Sequence, residues 1–175
     1  RKIMERIAMN ELIRWKESHR RKPLIVEGAR QVGKTWLVKE FARRHYAAIA
    51  YINFEESTYL RSLFEIDYDM DRIMTAISAA THVNCREEGT LIFLDEIQEA
   101  TNGLTALKYF QENAPELHVI VAGSLLGIAL HRQVSFPVGK VQFLTLRPMD
   151  FGEFLRAMGE TGLVEMIERK DWANI

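Results

Sequence analysis

Cysteine is nearly absent from this sequence and proline is scarce, with one and four respectively in 175 residues. A lone Cys85 permits no internal disulfide and no cysteine-built metal centre, and it fits a reducing, cytoplasmic setting. Long apolar runs are missing too. The longest nearly apolar stretch, Val119 to Leu130, holds two glycines and a serine and falls short of the roughly 20 residues needed to span a bilayer, so no membrane partner is expected. No N-terminal targeting signal, internal repeat or low-complexity tract is visible. The five histidines make no H-E-x-x-H and no metal-ligand spacing, and His82-x-x-Cys85 lacks a second pair, so both read as structural.

Neither sign of charge dominates overall, since the formal net charge is −1, but the charges are unevenly placed. Residues 1–45 hold thirteen Lys/Arg against five Asp/Glu, and residues 53–99 hold three against eleven. A basic first third, peaking at Arg20-Arg21-Lys22, could meet nucleic acid or an acidic protein, although a solvated helix end beside an anion-binding loop accounts for the same charges. At 47% hydrophobic and 27% charged residues, the composition is that of a globular domain with a sizeable core.

The strongest local signal is Gly28-Ala29-Arg30-Gln31-Val32-Gly33-Lys34-Thr35, which fits the phosphate-binding pattern G-x-x-x-x-G-K-[ST] at every fixed position. Two glycines let successive backbone N–H groups curl around phosphate oxygens. Lys34 adds a cation, and the Thr35 hydroxyl suits Mg²⁺. The loop follows the apolar run Leu24-Ile25-Val26 of an expected first strand, Leu24–Glu27, and precedes helical spacing from Lys34 to His45, so residues 28–36, ending at Trp36, are the expected nucleotide contacts.

Helical spacing over residues 3–18, closed by Pro23, predicts a lead-in helix within residues 1–23, with the nucleotide-binding core in 24–175. Further strands are expected at Ala48–Phe54, Thr90–Leu94, Leu117–Ala122 and Val141–Leu146. Helical material is expected at about Thr58–Ala80 with an acidic break near Asp67–Asp71, at Gly103–Asn113, from Ser124 to about Arg132, and at Met149–Met158. Leu91-Ile-Phe-Leu94 is apolar at every position, as in a strand covered on both faces. Strand and helix alternate, which predicts an α/β three-layer sandwich with a five-stranded parallel sheet. The chain starts at Arg1 and stops after a charged amphipathic stretch without a capping or tail signal, so a fragment of a longer protein is expected.

Ligands of open parallel sheets gather at the carboxyl ends of strands, which places Asp95 and Glu96 beside the loop. Asp95 could hold Mg²⁺ with Thr35, and Glu96 could activate a water. Ser124, ending the next strand, either contacts the γ-phosphate or caps the following helix. An arginine that meets developing phosphoryl charge could be Arg132, Arg147 or Arg30, or could come from a neighbouring molecule in a homo-oligomer.

The segments Arg21-Lys-Pro-Leu-Ile-Val-Glu-Gly-Ala-Arg-Gln-Val-Gly-Lys-Thr35, Tyr51-Ile-Asn-Phe-Glu55, Ile92-Phe-Leu-Asp-Glu-Ile-Gln98, Leu117-His-Val-Ile-Val-Ala-Gly-Ser124 and Leu146-Arg-Pro-Met-Asp-Phe-Gly-Glu-Phe-Leu155 together resemble the AAA_14 group of AAA-superfamily P-loop ATPases, usually found with a C-terminal DUF4143 domain. The resemblance spans nearly the whole chain, and Gln98 and the last segment are its more specific parts. It implies strand order 5-1-4-3-2, a Walker B role for Asp95 (magnesium) and Glu96 (water), and sensor 1 for Ser124. Gly139-Lys140 departs from the Gly-Arg often seen there, and any lid, sensor-2 arginine or DUF4143 contact falls beyond the sequence.

The expected function is therefore ATP binding with Mg²⁺ and switch-like or motor-like hydrolysis to ADP, coupled to a C-terminal domain or to a protein or nucleic-acid partner. The alternative is a nucleotide-gated binding module with negligible turnover. A helicase fragment fits Asp95-Glu-Ile-Gln98 as D-E-x-Q, but the length suits one domain where two are needed. A GTPase lacks Asn-Lys-x-Asp, and a small-molecule kinase lacks an evident acceptor site.

Overall fold

The computed structural model describes residues 2–28, 33–124 and 139–146. Helix α1 (Lys2–Glu17) leads into strand β1 (Leu24–Gly28), helix α2 (Lys34–His45) and strand β2 (Ala48–Asn53). Helix α3 (Met70–Thr81), strand β3 (Thr90–Asp95), helix α4 (Gly103–Asn113), strand β4 (His118–Ser124) and strand β5 (Gln142–Leu146) follow. The sheet is parallel throughout, in order β2-β3-β4-β1-β5. This is the expected order 5-1-4-3-2 read from the other edge.

Period-2 alternation divides each central strand between two cores. Leu91 and Phe93 of β3, Ile120 and Ala122 of β4, and Leu24 and Val26 of β1 join Leu12 and Trp15 of α1 and Leu37, Val38 and Phe41 of α2. On the other face Ile92, Leu94, Val119, Val121 and Ile25 join Ile73, Met74 and Ile77 of α3 and Leu104, Leu107 and Phe110 of α4. Two covered faces explain why β1 and β3 are buried at every residue.

One expectation is corrected. Thr58–Ile66 is not helical beyond a single 3₁₀ turn at Thr58–Leu60; the expected acidic break falls at Asp67–Asp69, and α3 starts after it at Met70, where Asp69 accepts a capping bond from the Arg72 N–H at 3.0 Å. Leu60, Leu63 and Phe64 of this segment sit at helical spacing and are buried without a helix. Arginine bonds to backbone carbonyls hold it as compact turns instead: Arg61 donates to the Phe54 and Glu55 carbonyls at 2.7 and 2.9 Å, and Arg72 to that of Leu63 at 2.8 Å. The helices expected up to Arg132 and at Met149–Met158 lie outside the described residues.

At the amino end of the sheet, cations satisfy helix C-termini. The Lys16 ammonium donates to the His45 carbonyl at 2.6 Å, and the Arg21 guanidinium to the Lys16 carbonyl at 2.9 Å. Between these cations His118 shares a 2.6 Å hydrogen bond with the Tyr46 hydroxyl. Burial, then the charges of Arg21 and Lys16, push the His118 imidazole down to about 4. Its folded value lies below the unfolded one of about 6.5, so the unfolded chain binds the extra proton first. Stability is thus expected to fall as pH drops from about 6.5 to about 4, by roughly 1–2 kcal/mol after discounting for partial exposure. Thermal melts of the wild type and His118→Asn across that range check it. The variant, without the imidazole, should lose less, and parallel losses would refute the assignment.

Candidate nucleotide site

Four strand ends converge at the carboxyl edge of the sheet. Gly28 pairs in register with Ser124 on β4, and Asn53 of β2 pairs with Asp95 of β3. Gly33, the residue before α2, has φ 86°, a left-handed conformation for which glycine pays no Cβ penalty. A Cβ there would meet nothing within 4 Å, so backbone geometry and not space favours glycine.

Lys34 follows as the first residue of α2. Its side chain is buried, and the ammonium donates to the Gly28 carbonyl at 2.9 Å, folding the loop's two ends together. Thr35 donates from Oγ1 to Asp95 Oδ2 at 2.6 Å, joining residues sixty positions apart. Asp95 is 1% exposed, and a carboxylate so buried needs donors. It has three: Thr35, the Tyr51 hydroxyl on Oδ2 at 2.9 Å, and the Glu96 backbone N–H on Oδ1 at 2.9 Å.

Tyr51 is a site residue that sequence reasoning misses. It sits on β2 opposite Phe93, under the Lys39 ammonium, which lies 4.0 Å from its ring centroid. Burial, and then the Asp95 carboxylate, raise its phenol well above the usual tyrosine range, so the hydroxyl stays protonated as a donor. Cross-strand adjacency carries this contact, and Tyr51, the one aromatic of β2, is the available signal.

Glu96 has left-handed backbone (φ 51°, ψ 48°), a strain of about 1–3 kcal/mol for a non-glycine residue, of the kind stored at functional sites. The chain then turns through a 3₁₀ segment, Ile97–Glu99, and Gln98 donates from Nε2 to Glu96 Oε2. Gln98 Oε1 is buried and has no hydrogen-bond partner among the described residues. An unmet acceptor costs about 1–3 kcal/mol and an amide bond to a charged group returns about 1.5–3 kcal/mol, so the cost offsets much of the gain. Another buried carboxylate, Glu27, lies one residue before the loop and accepts from the Thr145 hydroxyl at 3.0 Å.

Trp36 is 50% exposed on the first turn of α2 and lines, with Met9, Asn10 and Ile13 of α1, a groove of about 370 Å³. Gly28, Gly33, Lys34, Thr35, Asp95, Glu96 and Ser124 are thus all placed at or beside the carboxyl edge. Ala29, Arg30, Gln31, Val32, Arg132 and Arg147 lie outside the described residues. Lys140, in place of the arginine often found there, pairs with Glu112 of α4 at 3.7 Å.

A parallel sheet in this order, with Gly33-Lys34-Thr35 opening the helix that follows β1, defines a P-loop domain of the AAA ATPase class. The chain belongs to the AAA_14 family of AAA domains, whose model matches residues 20–155. Among solved structures it is similar to the Aeropyrum pernix ORC1 protein in complex with DNA, at 18% identity and TM-score 0.52 over 94% of this chain and 49% of that one. It is similar also to Thermotoga maritima RuvB, in a single-substitution variant (16% identity, TM-score 0.50, 94% of this chain and 49% of that one) and as the Holliday junction branch migration motor (15%, 0.50, 95% and 51%). The chain spans about half the length of each. A comparison with curated protein sequences finds no match. Among the described residues no helix is long and apolar enough to cross a membrane.

Proposed function

We propose that this domain binds ATP with Mg²⁺ and hydrolyses it slowly, as the switch or motor of a longer protein. One observation carries the reading: the Thr35 hydroxyl and the Asp95 carboxylate meet at 2.6 Å, with Glu96 directly after Asp95. A hydroxyl and a carboxylate are hard oxygen donors, the chemistry Mg²⁺ prefers, and that ion when bound supplies charge neutralisation at the phosphates.

In this reading the backbone of residues 28–36 holds the phosphate chain, and Lys34 contributes a fixed positive charge against it. Thr35 and Asp95 would hold the cation, while the Tyr51 hydroxyl and the Glu96 N–H keep the Asp95 carboxylate in place. Glu96 accepts a proton from the attacking water. Ser124, which pairs in register with Gly28, would contact the γ-phosphate in this reading. The source of an arginine stays with Arg30, Arg132, Arg147 or a neighbouring copy. Residues 1–23 act as the lead-in to a core at 24–175.

Nucleic acid is the partner chemistry that the basic first third fits, and the DNA-bound ORC1 protein lends fold-level support. The cytoplasm suits the single cysteine. The test is phosphate release by the full-length protein in ATP-Mg²⁺, with and without DNA or RNA, alongside its melting temperature. Release that depends on Mg²⁺ is expected. Thermal stabilisation without release under any condition would overturn hydrolysis in favour of a nucleotide-gated binding module. Absence of both release and stabilisation would overturn the nucleotide site itself.

A further inference from the structure

We infer that Gln98 is a positioning residue for Glu96, holding one oxygen of the carboxylate so that the other faces the reacting water. This rests on the hydrolytic reading above and assigns it a residue that does not touch the reacting atoms.

The turn that carries both side chains is held from several directions. The Glu96 N–H is bonded to Asp95, the Glu99 N–H donates to the Glu96 carbonyl at 3.0 Å, and the Ala100 N–H to that of Ile97 at 3.1 Å. Ile97 is fully buried, and α4 begins against it: a Cβ on Gly103 would come within 2.9 Å of both the Ile97 side chain and its carbonyl. The backbone of residues 96–99 therefore cannot adjust to suit a side chain. Glu96 still has three free side-chain torsions, and only the Gln98 amide restrains its carboxylate among the contacts described.

The placement of Gln98 is informative because its amide could have turned outward, where water would meet both polar atoms. Instead Nε2 faces the carboxylate and Oε1 is left buried and, among the described residues, unpaired. A bond to one carboxylate oxygen fixes where the other points, and that orientation of Glu96 is what the arrangement secures. With Oε2 occupied by the amide, Oε1 is the oxygen that remains to take a proton. A general base works only from within hydrogen-bond reach of its proton, so losing the restraint lowers the rate of the chemical step without loosening nucleotide binding.

The experiment compares Gln98→Met, which keeps the volume and deletes the amide, and Gln98→Glu, which sets a like charge beside Glu96, in the wild-type and Glu96→Gln backgrounds of the full-length protein. Readouts are kcat, KM for ATP and stabilisation by ATP-Mg²⁺. We expect kcat to fall about tenfold in Gln98→Met and further in Gln98→Glu, with KM and stabilisation unchanged. In the Glu96→Gln background both losses should largely vanish, because a residue that acts through Glu96 has nothing left to orient. An equal fractional loss in both backgrounds, an unchanged kcat, or loss of ATP-dependent stabilisation would overturn the assignment. A wild type that binds ATP without turnover would overturn the hydrolytic reading, and the inference with it.

Discussion

Replacing Glu96 with glutamine is expected to cut phosphate release by roughly 10²- to 10³-fold while ATP-Mg²⁺ still stabilises the fold, because the exchange removes a base worth about 10²–10⁴ in rate and little else. Glutamine has nearly the same volume, so packing around the Ile97–Glu99 turn is preserved. The left-handed backbone at position 96 suits neither residue and costs both about the same, so the melting temperature without nucleotide should stay close to that of the wild type. Asp95 keeps its donors, since the Glu96 contribution is a backbone N–H that the substitution does not touch. Binding and chemistry should therefore separate, with KM for ATP held and kcat lost. Phosphate release under single-turnover conditions, paired with thermal melts at saturating ATP-Mg²⁺, measures both. Equal release from the two proteins would remove Glu96 from the mechanism.

Much of the fold is legible because its signals are local and redundant. Leu91-Ile-Phe-Leu94 is apolar on both faces, and a strand of that kind needs a helix layer on each side, which the two cores supply. The segment after β2 misleads for the same reason that pattern reading works elsewhere: Leu60, Leu63 and Phe64 keep helical spacing, and tertiary burial satisfies them without a helix. Its real determinants, the Arg61 and Arg72 bonds to backbone carbonyls of Phe54, Glu55 and Leu63, have no periodicity to read. At the site, the meeting of Thr35 and Asp95 follows from strand ends in a parallel sheet. The Tyr51 bond to Asp95 depends on cross-strand register, and the left-handed turn at Glu96 depends on how α4 seats against Ile97, and neither is written in spacing.

Lys34→Met is expected to remove nearly all stabilisation by ATP while leaving the nucleotide-free fold close to its original stability. The ammonium is buried and donates to the Gly28 carbonyl, so it stands fixed at the end of the loop and needs little further ordering to meet a phosphate chain. A ligand at 100 times its Kd stabilises the native state by about 2.7 kcal/mol, a melting shift of roughly 5–10 °C for a domain of this size. Loss of the charge-assisted contact should weaken binding about 100-fold, which at the same ATP concentration leaves about 0.4 kcal/mol and a shift of roughly 1 °C. Without nucleotide two effects oppose each other. Gly28 loses a donor, at a cost of about 1–3 kcal/mol, while the fold no longer desolvates an ammonium, a relief of the same order. Methionine retains the stem's apolar volume, so no large cavity adds to the balance. Melts with and without ATP-Mg²⁺ therefore distinguish the two substitutions: Glu96→Gln should keep the shift and lose turnover, and Lys34→Met should lose both. A full ATP-dependent shift in Lys34→Met would mean that the nucleotide is held elsewhere than at the loop between Gly28 and Thr35.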